Sequence, residues 1–117
     1  MSRLLGIALG LAFAFGAHAH TPLKASVPAA DASVPAPKAV DLTFDGDVRL
    51  TSVSLTDSAG AAKHLDAVPT AIASTFSLNV HEPLAPGAYK VVWRAVGGDT
   101  HIISGEFGFT VTAAPAR

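Results

Sequence analysis

The stretch "LAPGAYKVVWRAV", residues 84–96, decides how the rest of the chain is read. Tyr89, Val91, Trp93 and Ala95 fall on every second position, with Lys90, Val92, Arg94 and Val96 between them. Side chains of a strand alternate between faces, so this pattern predicts a strand with one apolar face over Tyr89 to Val96. Ahead of it, Pro86-Gly87 is a turn signal. Gly87 stands two residues before a tyrosine that opens a strand, which resembles a tyrosine corner of β-sandwiches, whose phenol hydroxyl ties back to nearby backbone. A plain Pro-Gly turn followed by a core tyrosine reads the residues equally well. Both readings give the same fold class.

Working outward, the same period recurs. Val40, Leu42 and Phe44 alternate with Asp41 and Thr43, and Asp45-Gly46-Asp47 is expected to break that run. Leu50, Val53 and Leu55 form a second apolar set, and Ser58-Ala59-Gly60 a turn. Phe76, Leu78 and Val80 mark a strand within 72–80, and Phe107, Phe109 and Val111 mark another. Residues 20–39 hold Pro22, Pro28, Pro35 and Pro37, which argues for an extended arm or edge strand instead of a helix. Five or more strands separated by turns predict an all-β fold, a Greek-key antiparallel β-sandwich or barrel. No internal repeat and no second domain is evident.

The first 19 residues read differently. Arg3 is their only charge, and Leu4 to Phe15, "LLGIALGLAFAF", is an uncharged run of 12 residues. As a helix it would be about 18 Å long, against the roughly 20 residues a membrane span needs. With the small-x-small end Ala17-His18-Ala19, it is expected to be a secretory signal peptide over residues 1–19. A cut after Ala19 makes His20 the first residue of a domain over 20–117, and a rival cut after Ala17 would begin with His18. After cleavage no membrane anchor is expected. The remaining chain has 7 Lys and Arg against 9 Asp and Glu, a balance that speaks against nucleic acid as partner. It has no cysteine, and Met1, the one methionine, leaves with the leader. Thiolate chemistry and sulfur ligands are therefore excluded from the mature chain.

Two places could hold a metal ion. An N-terminal His20 would offer its α-amine and an imidazole nitrogen, which together can close a chelate ring, and nitrogen donors in a plane suit Cu(II). Both must lose their protons to bind. The second place is Asp99-x-His101 within "GGDTHIISGEFGFTV", residues 97–111. On an extended strand these two would share a face. Taken alone, the pair reads better without a metal, with Asp99 as a turn residue after Gly97-Gly98 and His101 as an ordinary half-exposed strand residue. His64 and His81 sit in polar surroundings and are expected at the surface. Nucleophile-elbow, glycosidase and phosphate-loop patterns are absent, and a zinc site built on His64 and His81 would have an unfamiliar spacing.

The start "HTPLKASVPAADASV", the strand "VDLTF", the segment "LAPGAYKVVWRAV" and the run "DTHIISGEFGFTV" together resemble the CopC family of periplasmic copper-binding proteins, nearly end to end from His20 to Val111. That resemblance implies a cupredoxin-like or immunoglobulin-like Greek-key β-barrel. It also implies one Cu(II) per mature chain, held by His20, Asp99 and His101. A carrier or buffer role in copper resistance or homeostasis would follow, with an inner-membrane copper transporter as partner and no enzymatic activity. The chain departs from the family in three ways. It lacks the Met-rich loop by which some members hold Cu(I), so Cu(II) alone is expected. Gly97 stands where many members have Ser, and Asp45-Gly46-Asp47 where some have a Glu. Trp93 matches a family tryptophan and is expected to fill the core. Two other functions fit parts of the pattern. One is a histidine-brace copper monooxygenase, which would need an open copper position and exposed aromatics. The other is a metal-free sandwich module for adhesion or assembly.

Overall fold

The computed structural model describes residues 23–113. The leader, its cleavage point and His20 lie outside the described residues. Six strands follow in order: β1 (Leu23–Val27), β2 (Ser33–Val34), β3 (Ala39–Asp57), β4 (Ala73–Asn79), β5 (Gly87–Gly97) and β6 (Ile102–Val111). Among the described residues there is no helix, so the all-β expectation holds.

The 19-residue β3 organises the molecule. Its first part lies between β1 and β4, with Thr43 opposite both Ala25 and Thr75. Its second part pairs with β5 from Val48↔Gly97 to Asp57↔Tyr89. The β3–β4 register slips between Thr43 and Val48. Asp45-Gly46-Asp47 therefore does not end the strand, as the sequence predicts, but bends it. All three residues are exposed, because here β3 leaves one layer and enters the other and has no core to face. A second irregularity, between Leu50 and Ser52, explains the uneven spacing of Leu50, Val53 and Leu55. One extra residue, Thr51, sits in a bulge and lets Leu50 oppose Ala95 while Val53 opposes Trp93. The Thr51 hydroxyl donates to the Arg94 carbonyl at 3.0 Å.

β5 and β6 pair in unbroken antiparallel register from Gly87↔Val111 to Val96↔Ile102. The chain crosses between the layers from β3 to β4 and back to β5, a Greek-key route. The antiparallel expectation has one exception. β2 runs parallel to β6, with Ser33 opposite Thr110 and Val34 opposite Val111. The arm after β1 crosses to the other layer and arrives running the same way as β6. It is tied there by Asp31 N–H to Gly108 O at 2.7 Å and Thr112 N–H to Val34 O at 2.8 Å. The Pro-rich arm is thus the edge strand its composition predicts.

Between the layers lies the core. Val40, Leu42, Leu55, Val91 and Ala95 are fully buried, and Trp93 is 1% exposed. Phe44 meets Trp93 edge-on at 5.1 Å and Phe76 at 6.0 Å, which joins the two layers. Trp93 fills the core as expected, and its cross-strand neighbour is Gly105. A Cβ there would come within 2.7 Å of the indole Cζ2, so glycine is required for close approach. The Tyr89 hydroxyl donates to the Ala85 carbonyl at 2.6 Å, so the tyrosine-corner reading is the correct one. No cysteine contributes, and packing with backbone pairing holds the sandwich together.

Candidate metal centre

The hairpin between β5 and β6 is closed by two backbone bonds. Thr100 N–H donates to Gly97 O, and Gly97 N–H donates to His101 O, both at 2.9 Å. Thr100 takes a left-handed φ of 68°. This is a three-residue hairpin loop, a turn followed by a left-handed residue, at a place where glycine is the usual occupant. Asp99 is consequently a turn residue, and His101 precedes β6 instead of lying on it. They still meet, but because the turn folds back and not through strand alternation as expected. Asp99 Oδ2 lies 2.7 Å from His101 Nδ1, and the His101 N–H donates to Asp99 Oδ1 at 3.2 Å. The carboxylate thus spans the turn as an Asx-type brace.

Both side chains face solvent, Asp99 68% and His101 81% exposed. The hydrogen bond from His101 Nδ1, with the backbone N–H beside it, holds the Asp99 carboxyl below its usual range. The same bond, reinforced by the carboxylate charge, raises the His101 imidazole above 6.5. With Nδ1 engaged, Nε2 is the ring nitrogen left free to bind. A carboxylate that orients a histidine in this way makes the other nitrogen a better metal donor.

An open hollow of about 610 Å³ adjoins the pair, lined by Gly46, Asp47, Gly98, Asp99, His101 and Ile103 among others. A second, of about 380 Å³, lies across the hairpin, with Asp47, Arg49, Ile72 and Val96 on its walls. The bend in β3 therefore places Asp47 at both. Nothing in the sequence ties Arg49 or Ile72 to the hairpin, since each reaches it only through strand pairing. Gly97 leaves room for the carboxylate, and a Cβ there would stand 3.2 Å from Asp99 Oδ1.

Among the described residues no three His, Asp or Glu side chains gather closely enough to hold a metal ion. Asp99 and His101 are brought together, with Asp47 on the wall of the same hollow. Leu23, the first described residue, pairs with Phe44. Only the bend separates Phe44 from Val48, which pairs with Gly97. β1 thus begins at the end of the sandwich that carries the hairpin. His64 and His81 are exposed, as expected, and belong to another cluster. His81 Nε2 contacts Asp66 Oδ1, and His64 N–H donates to Glu82 Oε2 at 2.7 Å.

The CopC domain family matches residues 23–112. Copper resistance protein C of Escherichia coli is 36% identical over 116 residues, spanning 91% of this chain and 90% of that protein. The Pseudomonas syringae pv. tomato protein of the same name is 33% identical, spanning 89% and 90%. Among solved structures, CopC from Methylosinus trichosporium OB3b superposes with a TM-score of 0.70 at 31% identity, covering 84% of this chain and 99% of that one. PcoC, a methionine-rich copper resistance protein from Escherichia coli, superposes with a TM-score of 0.66 at 36% identity, covering 80% and 99%. The domain match over residues 23–112 and these likenesses show that the chain belongs to the CopC family.

Proposed function

We propose that this protein is exported to the periplasm, loses its leader after Ala19, and carries or buffers copper as part of copper resistance or homeostasis. One Cu(II) would be its cargo, bound by the His20 amine and imidazole, an Asp99 oxygen and His101 Nε2. The observation that carries this reading is the exposed Asp99–His101 pair, held at the end of the sandwich where β1 begins. From Leu23 back to His20 is three residues, roughly 10 Å of extended chain, enough to cross the bend of β3. Asp99 Oδ1 is the more weakly engaged of the two carboxylate oxygens, at 3.2 Å from its donor, and is the one free to turn toward the ion.

A set of nitrogens and one carboxylate oxygen, without sulfur, favours cupric over cuprous ion. The methionine-rich relative differs in this respect, since the only methionine here is Met1. Four ligands from the protein favour holding over turnover. Tyr89 and Trp93 are 6% and 1% exposed, so neither offers the open aromatic face that a polysaccharide-oxidising copper enzyme uses. An inner-membrane copper transporter is the partner this role calls for. No helix among the described residues is long and apolar enough to cross a membrane.

The test compares Cu(II) titration of a chain beginning at His20 with one carrying a single extra residue before it. The extension converts the amine into a peptide nitrogen and should weaken binding by about 100-fold or more, some 2.7 kcal/mol. Equal affinity for the two forms would refute the chelate.

A further inference from the structure

The outward positions of the β3–β5–β6 sheet form rows set by the strand register. Arg49, Val96 and Ile102 make the row nearest the hairpin. Ser52, Arg94 and Ser104 make the next, then Ser54, Val92 and Glu106, then Thr56, Lys90 and Gly108. Three features mark this face. Ile102 is 70% exposed and Val92 40% exposed; the other large apolar side chains this open among the described residues are Val27 on β1 and Ile72, across the hollow from Arg49 and Val96. Within these rows three cations stand against one anion, Glu106, which pairs with Lys90 at 3.6 Å, while Asp47 and Asp99 stand at the border beside the hairpin. Among the described residues, Arg49 and Arg94 have no carboxylate within ion-pair distance. The chain as a whole carries −1, so this face is positive on an acidic protein. Across the sandwich, the corresponding outward positions of β3 and β4 are Asp41, Thr43, Thr75 and Ser77, with no cation.

We infer that this face docks an acidic protein partner and presents to it the metal centre at its border. The inference rests on the copper reading above, because Ile102 adjoins His101 and the row of Arg49 and Val96 adjoins Gly97. Apolar side chains ringed by unpaired arginines are the composition of protein interfaces, and complementary charge steers encounter and sets orientation. A second copy is disfavoured, since the rows hold two unpaired arginines and their one anion is already paired with Lys90, which leaves little opposite charge to offer an identical face. A lipid surface is also disfavoured, because two uncompensated charges without an amphipathic helix are too few for stable adsorption.

The probes are two labelled peptides with the same Gly-Gly-His copper-chelating start, one continuing in alternating Glu and Leu, the other in alternating Lys and Leu. Fluorescence anisotropy with the copper-free protein reports docking, and stopped-flow transfer from the Cu(II)-loaded protein reports delivery. At low salt the acidic peptide should bind and accept copper about 10-fold better than the basic one, an advantage that shrinks at high ionic strength. Arg49→Glu with Arg94→Glu should abolish the preference, and Ile102→Ser should weaken docking while Cu(II) loading stays unchanged. Circular dichroism checks that each variant folds. Equal behaviour of the two peptides, or a preference that survives the double reversal, would overturn the inference. So would co-sedimentation of the protein with phosphatidylglycerol vesicles, or self-association that the reversal removes. Failure of the wild-type chain to bind Cu(II) would sink the copper reading alone, since the anisotropy arm still judges the face.

Discussion

Among the described residues there are two carboxylate–imidazole pairs, and they are built differently. Asp99 and His101 are two residues apart in one hairpin, and the carboxylate's partners are the ring and backbone of His101. Asp66 and His81 are 15 residues apart, and Asp66 also accepts the Asn79 N–H at 2.8 Å. Leu65 and Val80 form a bridge between them, and His81 N–H donates to His64 O. The second pair therefore pins the 57–72 connection to the end of β4. The first braces only its own turn, and its imidazole projects into solvent at 81% exposure against 54% for His81. A pair that ties two segments is structural, whereas one that ties nothing but itself is free to spend its donors on a ligand.

Copper separates the pairs most sharply. His101→Ala should weaken Cu(II) binding by about 100-fold, as loss of one ligand from a chelate. His81→Ala should leave it within about 2-fold, because His81 stands in the other cluster. Competition titration against a chelator of known affinity measures both. Equal losses would dissolve the distinction between the pairs.

Acid should act on His101 and on Asp66 with opposite sign. The His101 pKa is raised by its bond to Asp99, so that bond favours the folded state below about 6.5 and the benefit is lost as pH rises through the elevated value. Binding copper at Nε2 must displace that proton, so Cu(II) affinity should fall as pH drops through the same window. Asp99→Asn should bring the NMR titration midpoint of the His101 ring back toward 6.5. Asp66 is lowered from 3.8 by His81 and by the Asn79 N–H. Its contribution is complete above the unfolded value and lost as pH falls through the folded one. The melting temperature of the copper-free protein should therefore decline below about pH 4, and less steeply in Asp66→Asn. A His101 midpoint that ignores Asp99→Asn would show that the hairpin brace does not exist in solution.

What the sequence revealed of all this follows the range of each interaction. β5 was legible because its pattern is local and complete, and the tyrosine corner closes over four residues. Asp99 and His101 were legible as a pair because they are neighbours. The way they meet was not, since it depends on Thr100 adopting a left-handed φ that a β-branched residue rarely takes. Asp45-Gly46-Asp47 imitates a turn, because a strand crossing between layers and a strand that stops both lose their apolar partner. The Thr51 bulge was visible only as the odd spacing of Leu50 and Val53. The Asp66–His81 pair, the parallel β2–β6 contact and the Arg49–Val96–Ile102 row all depend on which strands become neighbours, which no local pattern encodes. His20 lies outside the described residues, and its place in the proposed site rests on leader chemistry and the family resemblance.

The smallest expected effect probes the hairpin brace itself. Gly97→Ala adds a Cβ that would stand 3.2 Å from Asp99 Oδ1, closer than ordinary contact. What must give is the end of a side chain that is 68% exposed, so the backbone need not move. Replacing glycine also narrows the unfolded ensemble, which is worth about 0.4–1 kcal/mol where the native conformation tolerates a side chain. Gly97 carries no left-handed φ, so the variant should melt slightly higher than the parent. The displaced Oδ1 loses its 3.2 Å bond to the His101 N–H, and Cu(II) affinity should change by only about 2–3-fold, far less than on losing His101. Thermal melts and copper titration on one preparation read both effects. A lower melting temperature with copper affinity unchanged would mean that the carboxylate is held more rigidly than a turn brace, and the contrast with Asp66 would then disappear.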